Sequence, residues 1–267
     1  MKQNIAVQEK RDLWGSTVEF VRAFIAEGAT VWGVSRNVMW AIALIPFVIA
    51  GMGALSALFG KEAYKWFTAE DGFAESLQVI FYFLSFAMAL FITWRYHRAG
   101  ERLLALLYLG LTVALVFMIG EEISWGQRIF GWGTPDALAE INKQEETNLH
   151  NIYGVGATFK WLQMLVGAYG VVLPLALLRW PPRRQLKKLT DAVVPHYTFI
   201  FFFLPMFIWR LFRNTMEVPE DFYFVVAEYN EVIELILASG FALFLLFQLR
   251  RLYARPDGAA AGTKSER

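Results

Sequence analysis

Six long apolar runs, nearly free of charge, decide what this chain can fold into. They are Val38–Phe59, Phe73–Trp94, Leu103–Gly120, Trp161–Trp180, Val193–Phe212 and Phe222–Leu249. Most come close to the roughly 20 residues a helix needs to cross a hydrocarbon layer about 30 Å thick. Inside lipid, backbone polar groups must be satisfied within the segment, so runs of this length and composition are helices. The expected fold is all-α, a polytopic transmembrane helical bundle of about six spans. These spans take up nearly half of the 267 residues and leave no room for a sizeable soluble domain. Charged residues make up 18% of the chain, below the roughly one quarter usual in soluble domains.

Lys and Arg distribution sets the orientation. With the N-terminus cytoplasmic, 18 of the 25 Lys and Arg fall on the cytoplasmic side, led by Arg183, Arg184, Lys187, Lys188, Arg250 and Arg251. That is the positive-inside pattern, with both termini cytoplasmic. Residues 1–37 read as a cytoplasmic amphipathic segment, because Trp14, Val18, Val21, Ile25 and Trp32 recur at helical spacing among charges, the pattern of a helix lying on a membrane face. Residues 38–250 form the six-span domain, and 251–267 a disordered tail rich in Ala, Gly and charge. The N-terminus lacks the short apolar core and small-residue cleavage site of a secretory signal. Without cysteine, the chain has no disulfide, thiolate metal site or cysteine nucleophile.

The long outer connection, residues 121–160, is expected to be a folded cap, since forty residues of plain loop are unusual in a compact protein. Thr134-Pro135-Asp136 signals a helix start. That helix is expected to run through Ala137–Ile141 and to resume over Glu145–Asn151. A weak internal similarity links two hairpins. Ile45-Pro46 corresponds to Leu204-Pro205, and Ala74-Glu75-x-x-Gln78-Val79-Ile80 to Ala227-Glu228-x-x-Glu231-Val232-Ile233. It suggests a duplicated unit framing one site, as repeats do in several transporter folds.

Of the 24 acidic residues, 16 lie on the outer side or in the outer half of a span. Loop acids are solvated and need no account. Acids in spans are costly, about 2.5–3.5 kcal/mol each at a helix centre, and mark functional sites by default. Glu228, Glu231 and Glu234 recur every third residue, which puts them on one face of a continuous helix. Span 3 ends in the polar run Gly120-Glu121-Glu122-Ile123-Ser124-Trp125-Gly126-Gln127-Arg128. Arg128 there fits either an acid of another span or an anionic substrate group. The acids Glu121, Glu122, Glu228 and Glu231, with Arg128, are the catalytic candidates. On a helix, Glu146 and His150 would share a face, and carboxylate plus imidazole suits a divalent metal ion. Glu75 lies at similar depth and completes the expected metal set. His97 and His196 fall on the cytoplasmic side and read as structural.

The run GEEISWGQRIFGW with the following ETNLHN is similar to a family of uncharacterised multi-pass bacterial inner-membrane proteins. The similarity covers about a fifth of the chain, implies an inner-membrane location and brings no activity. Alkaline-ceramidase-like membrane hydrolases are a different case, because their His-x-x-x-His pair is missing here. No phosphate-binding Gly-rich loop, nucleophile elbow or nucleic-acid-binding basic surface occurs. The expected partners are therefore the lipid bilayer and a lipid or small-molecule substrate. Three readings follow: a metal-assisted enzyme on a lipid or lipid-linked substrate, a proton- or cation-coupled transporter, or a membrane scaffold.

Overall fold

The computed structural model describes residues 2–254, with side chains described from Gly15 onward. The helices in chain order are α1 (Lys2–Trp32), α2 (Arg36–Ser56), α3 (Lys61–Thr68), α4 (Phe73–Arg98), α5 (Arg102–Glu122), α6 (Gln127–Phe130), α7 (Asp136–Ala139), α8 (Val155–Arg179), α9 (Arg184–Val193), α10 (Ile200–Thr215), α11 (Glu220–Glu228) and α12 (Asn230–Tyr253). Apart from one isolated bridge between Asn142 and Ile152, no β pairing occurs among the described residues. The fold is all-α, as the apolar runs require. Six segments are long and apolar enough to cross a membrane, from Arg36–Phe59 through Glu220–Tyr253. The protein is a multi-pass helical membrane protein.

α12 is the central post. Every residue from Val232 to Gly240 is buried, the mark of a helix surrounded by other helices. α4 and α10 flank it, α5 packs outside α4, and α8 packs outside α10. The spatial order α5–α4–α12–α10–α8 leaves a gap, because no packed interface joins α5 to α8 among the described residues. The two approach at one end, where the rings of Phe117 and Phe159 stack with centroids 6.1 Å apart. α8 and α10 are by contrast pressed together. A Cβ at Gly167 would lie 2.6 Å from the backbone nitrogen of Phe207, so only glycine permits that approach.

The bundle has a basic end, with Arg183 to Lys188 and Arg250 to Arg251, and a capped end, covered by residues 123–154. α1 docks near the basic end. Its Ile25, Ala29 and Trp32 are buried, and the Trp32 ring lies 4.6 Å from that of Phe247. The apolar stripe of this helix is thus used in part against protein, although Val18 and Phe20 remain exposed. Trp14 falls outside the described side chains; of the expected tail 251–267, Arg251–Tyr253 instead continue α12, and residues 255–267 lie outside the described residues.

The span 6 acids do not share one continuous helical face, because the helix breaks at Tyr229 between α11 and α12. The cap is not helical over Glu145–Asn151. Residues 140–154 form successive turns, and Glu145 adopts a left-handed φ of 56°. Asn142 explains this. Its amide donates to the Asn148 carbonyl (2.8 Å), and its oxygen accepts from the Gln144 (2.9 Å) and Glu146 (3.3 Å) backbone. Such local side-chain bonds compete with the helix ladder.

The two similar hairpins meet. Gln78 and Glu231, which occupy corresponding positions, face each other, with the Gln78 amide donating to the Glu231 carboxylate at 3.0 Å.

Candidate functional site

The site begins where α5 ends. Ser124 (φ 46°), Trp125 (φ 51°) and Gly126 (φ 96°) lie consecutively in the left-handed region, which costs about 1–3 kcal/mol per non-glycine residue. The turn is held by its side chains. The Trp125 indole donates to Glu121 at 2.8 Å, and the Ser124 hydroxyl donates to Glu146 at 3.0 Å. Glu121, 2% exposed, also accepts the backbone N–H groups of Leu149 (2.8 Å) and His150 (2.9 Å), and faces the His150 ring at 3.2 Å. One carboxylate therefore staples the cap to α5.

Arg128 is the second staple. Its guanidinium lies 2.6 Å from Glu75, 2.6 Å from Asp71 and 3.1 Å from Glu146, which ties the cap to the start of α4. Burial works against its charge, but these three carboxylates outweigh that and hold it more firmly protonated than usual. Burial likewise pulls His150 down, and the hydrogen bond and charge of Glu121, with Glu234 and Glu70 beyond it, raise it above its ordinary value.

Under the cap lies a cavity of about 260 Å³. Carboxylates of Glu70, Glu75, Glu121, Glu122, Glu231 and Glu234 line it, with cations Arg128, Lys143, Lys160, Arg210 and Arg213 and the His150 ring. Several of these are mutually satisfied. Arg210, 5% exposed, pairs with Glu234 at 3.1 Å, and Asn230 donates to the same carboxylate. Others are not. Among the described residues Glu122 has no hydrogen-bond or ion-pair partner, and Glu231 has only Gln78. Lys160 has no carboxylate partner, and Arg213 rests over the Tyr223 ring at 5.5 Å. Nη1 of Arg213, Nε of Arg210, Oε1 of Gln163 and Oδ1 of Asn230 are buried without a partner. The cavity thus has an acidic wall on α5 and α12 and a basic wall on α8 and α10.

The structure gathers Glu75, Glu121, Glu122, Glu231, Arg128 and His150 around this cavity. Glu146 stands just behind, on Arg128. Glu228 is elsewhere. The break at Tyr229 leaves it beside α3, where the Tyr64 hydroxyl donates to the Val225 carbonyl at 2.6 Å.

The expected metal set does not fit a divalent ion. Glu75 and Glu146 share the Arg128 guanidinium, and Glu146 also takes Ser124 and Asn148 (2.6 Å). His150 turns Nδ1 to Glu121 instead. Among the described residues no three His, Asp or Glu side chains are grouped as a metal would need. The positive charge these carboxylates call for is already supplied by Arg128.

Sequence reasoning missed Lys160, Arg210 and Arg213. Arg210 carried a signal, since it interrupts the apolar run Val193–Phe212, and an intramembrane arginine is as telling as an acid.

No family model matches the chain, and no curated protein or solved structure shows significant similarity to it.

Proposed function

We propose that this protein is an enzyme of the bacterial inner membrane that acts on the anionic head group of a lipid or lipid-linked substrate, with its capped end towards the periplasm. The 18-to-7 split of Lys and Arg supports that orientation.

The observation that carries the reading is that opposite charges face one another across the cavity without pairing. Taking a charge out of water costs several kcal/mol, and a carboxylate–cation contact is the usual compensation. Glu234 and Arg210 have that contact, whereas the partly buried Glu122, Glu231 and Arg213 do not, and Lys160 is exposed at the rim of the cavity. A purely structural network would close such pairs, so their separation argues for a ligand between them. Lys160 and Arg213 take the anionic group. Glu122 and Glu231 handle protons. One takes a proton from an attacking water or hydroxyl, and the other donates one to the oxygen that leaves. Arg128 and Glu121 are positioning residues, because their hydrogen bonds go to the protein.

Conduction is the weaker reading. Below Glu234 the centre of the bundle is filled by fully buried Phe199, Phe202, Phe203, Met206 and Leu245, and no further carboxylate on α12 continues a relay.

The test is turnover in proteoliposomes of bacterial total lipid extract, followed by lipid mass spectrometry. The wild type is expected to convert a lipid species, and Glu122→Gln and Glu231→Gln to abolish conversion while inserting normally. Unchanged lipid in the wild type, with proton uptake abolished by Glu231→Gln, would overturn the proposal in favour of transport.

A further inference from the structure

A second concavity lies in the gap between α5 and α8, closer to the basic end. It is a groove of about 500 Å³ lined by Leu107, Leu111, Leu165, Val166, Phe241 and Phe244, among others. Its two hydroxyls are already used. Tyr108 donates to the Ala192 carbonyl at 2.6 Å, and Tyr169 donates to the Val193 carbonyl. The groove therefore offers nothing to a polar ligand.

The groove and the charged cavity lie on the same faces of the same helices. On α5 the lining steps from Leu107 and Leu111 to Met118 and Glu122, at spacings of four, seven and four. On α8 it steps from Val166 to Gln163 and Lys160, and on α12 from Phe244 and Phe241 to Glu234 and Glu231. Residues three, four and seven apart share a helical face. From Glu122 to Tyr108 the distance along α5 is about 20 Å at 1.5 Å per residue, some two thirds of the hydrocarbon layer. At the level of the groove no packed interface joins α5 to α8 among the described residues, while next to the charged cavity the stacked rings of Phe117 and Phe159 bridge the two helices.

We infer that the substrate is a long-chain anionic lipid that enters sideways between α5 and α8, its hydrocarbon chain lying in this groove while its head group reaches Lys160 and Arg213. The inference rests on the lipid-enzyme reading and specifies its substrate class and route of entry. Two features select this occupant. The groove alone would accept any hydrocarbon, but it runs towards unpaired cations, which a neutral lipid would leave unsatisfied. Arg210 adds to the selection, being 5% exposed and keeping an unpartnered Nε at the cavity wall.

The test uses the full chain in phosphatidylcholine nanodiscs with a trace of phosphatidic acid bearing a mid-chain diazirine. Diacylglycerol with the same photoreactive chain is run in parallel. After irradiation, cross-linked peptides are mapped. Phosphatidic acid is expected to label peptides containing Leu111, Val166 and Phe244 several-fold more than diacylglycerol. Lys160→Gln with Arg213→Gln should erase that preference, and Val166→Trp should block labelling by filling the groove. Equal labelling by both probes, insensitive to Lys160→Gln, means ordinary surrounding lipid and overturns the inference, as does an unlabelled groove. The two proposals fail separately. An unlabelled groove beside Glu231-dependent turnover removes only the route, while head-group-dependent labelling without turnover removes only the enzyme.

Discussion

Arg210 on α10 lies 3.1 Å from Glu234 on α12, with side chains only 6% and 10% exposed. This pair joins the central post to its neighbour at the floor of the charged cavity. Removing one partner leaves an uncompensated buried charge, which costs about 3–5 kcal/mol, whereas replacing both by apolar residues is often close to neutral. Arg210→Leu and Glu234→Leu are each expected to lower thermal stability in detergent strongly. The double variant should recover most of the loss, and additive losses would show that the pair is not coupled.

The contact of α8 with α10 depends on a glycine. A Cβ at Gly167 would meet the Phe207 backbone nitrogen at 2.6 Å and its Cα at 2.9 Å, and backbone cannot swing aside as a side chain can. Gly167→Ala is expected to cost about 1–3 kcal/mol, the usual range for overpacking, while Gly110→Ala, with open space around it, should not destabilise. A thermal melt of both variants checks this.

The cap should loosen as pH rises. Burial lowers His150, but Glu121 outweighs it, so the folded value lies above the ordinary 6.5. A group raised on folding stabilises the fold fully below its unfolded value, and that contribution is lost as pH climbs through the folded value. Protease resistance of residues 140–152 is therefore expected to fall from about pH 6.5 upwards. His150→Gln should flatten the profile. A profile that rises with pH would contradict the assignment.

Arg128 should matter more to the cap than its partial exposure suggests, because Glu75, 4% exposed, depends on it. Arg128→Met is expected to destabilise the protein and speed hydrogen exchange over residues 142–150, through loss of a buried charge partner. Arg128→Lys should rescue only partly, since a point charge cannot replace a fork reaching Glu75 with one nitrogen and Glu146 with the other.

The six spans could be read directly, because lipid imposes length and apolarity on any helix that crosses it. Convergence of Glu75, Glu121, Glu122 and Glu231 on one cavity followed from their common depth. The cationic wall escaped notice for a physical reason. Lys160 and Arg213 flank span ends, where a basic residue ordinarily reaches out to the interface, and only the packed structure shows that the exposed Lys160 and the partly buried Arg213 line the same cavity. Glu228 was misplaced because spacing cannot reveal a helix break such as that at Tyr229. Glu146 and His150 were expected on one helical face, yet the turns organised by Asn142 separate their roles. Glu146 serves Arg128, and His150 serves Glu121.

In the proposed enzyme the cavity holds an anionic group between Lys160 and Arg213 while Glu122 and Glu231 act on it. Binding of short-chain phosphatidic acid to the detergent-solubilised full chain, at low and high salt, tests it most directly. The wild type is expected to bind, with salt weakening the complex. Lys160→Gln and Arg213→Gln should each lose about tenfold, the scale of one charge-assisted contact. Glu231→Gln should bind at least as well as the wild type, because both cations remain and the substitution adds no negative charge to the cavity. Equal binding by all four proteins, or loss only in Glu231→Gln, would contradict the account.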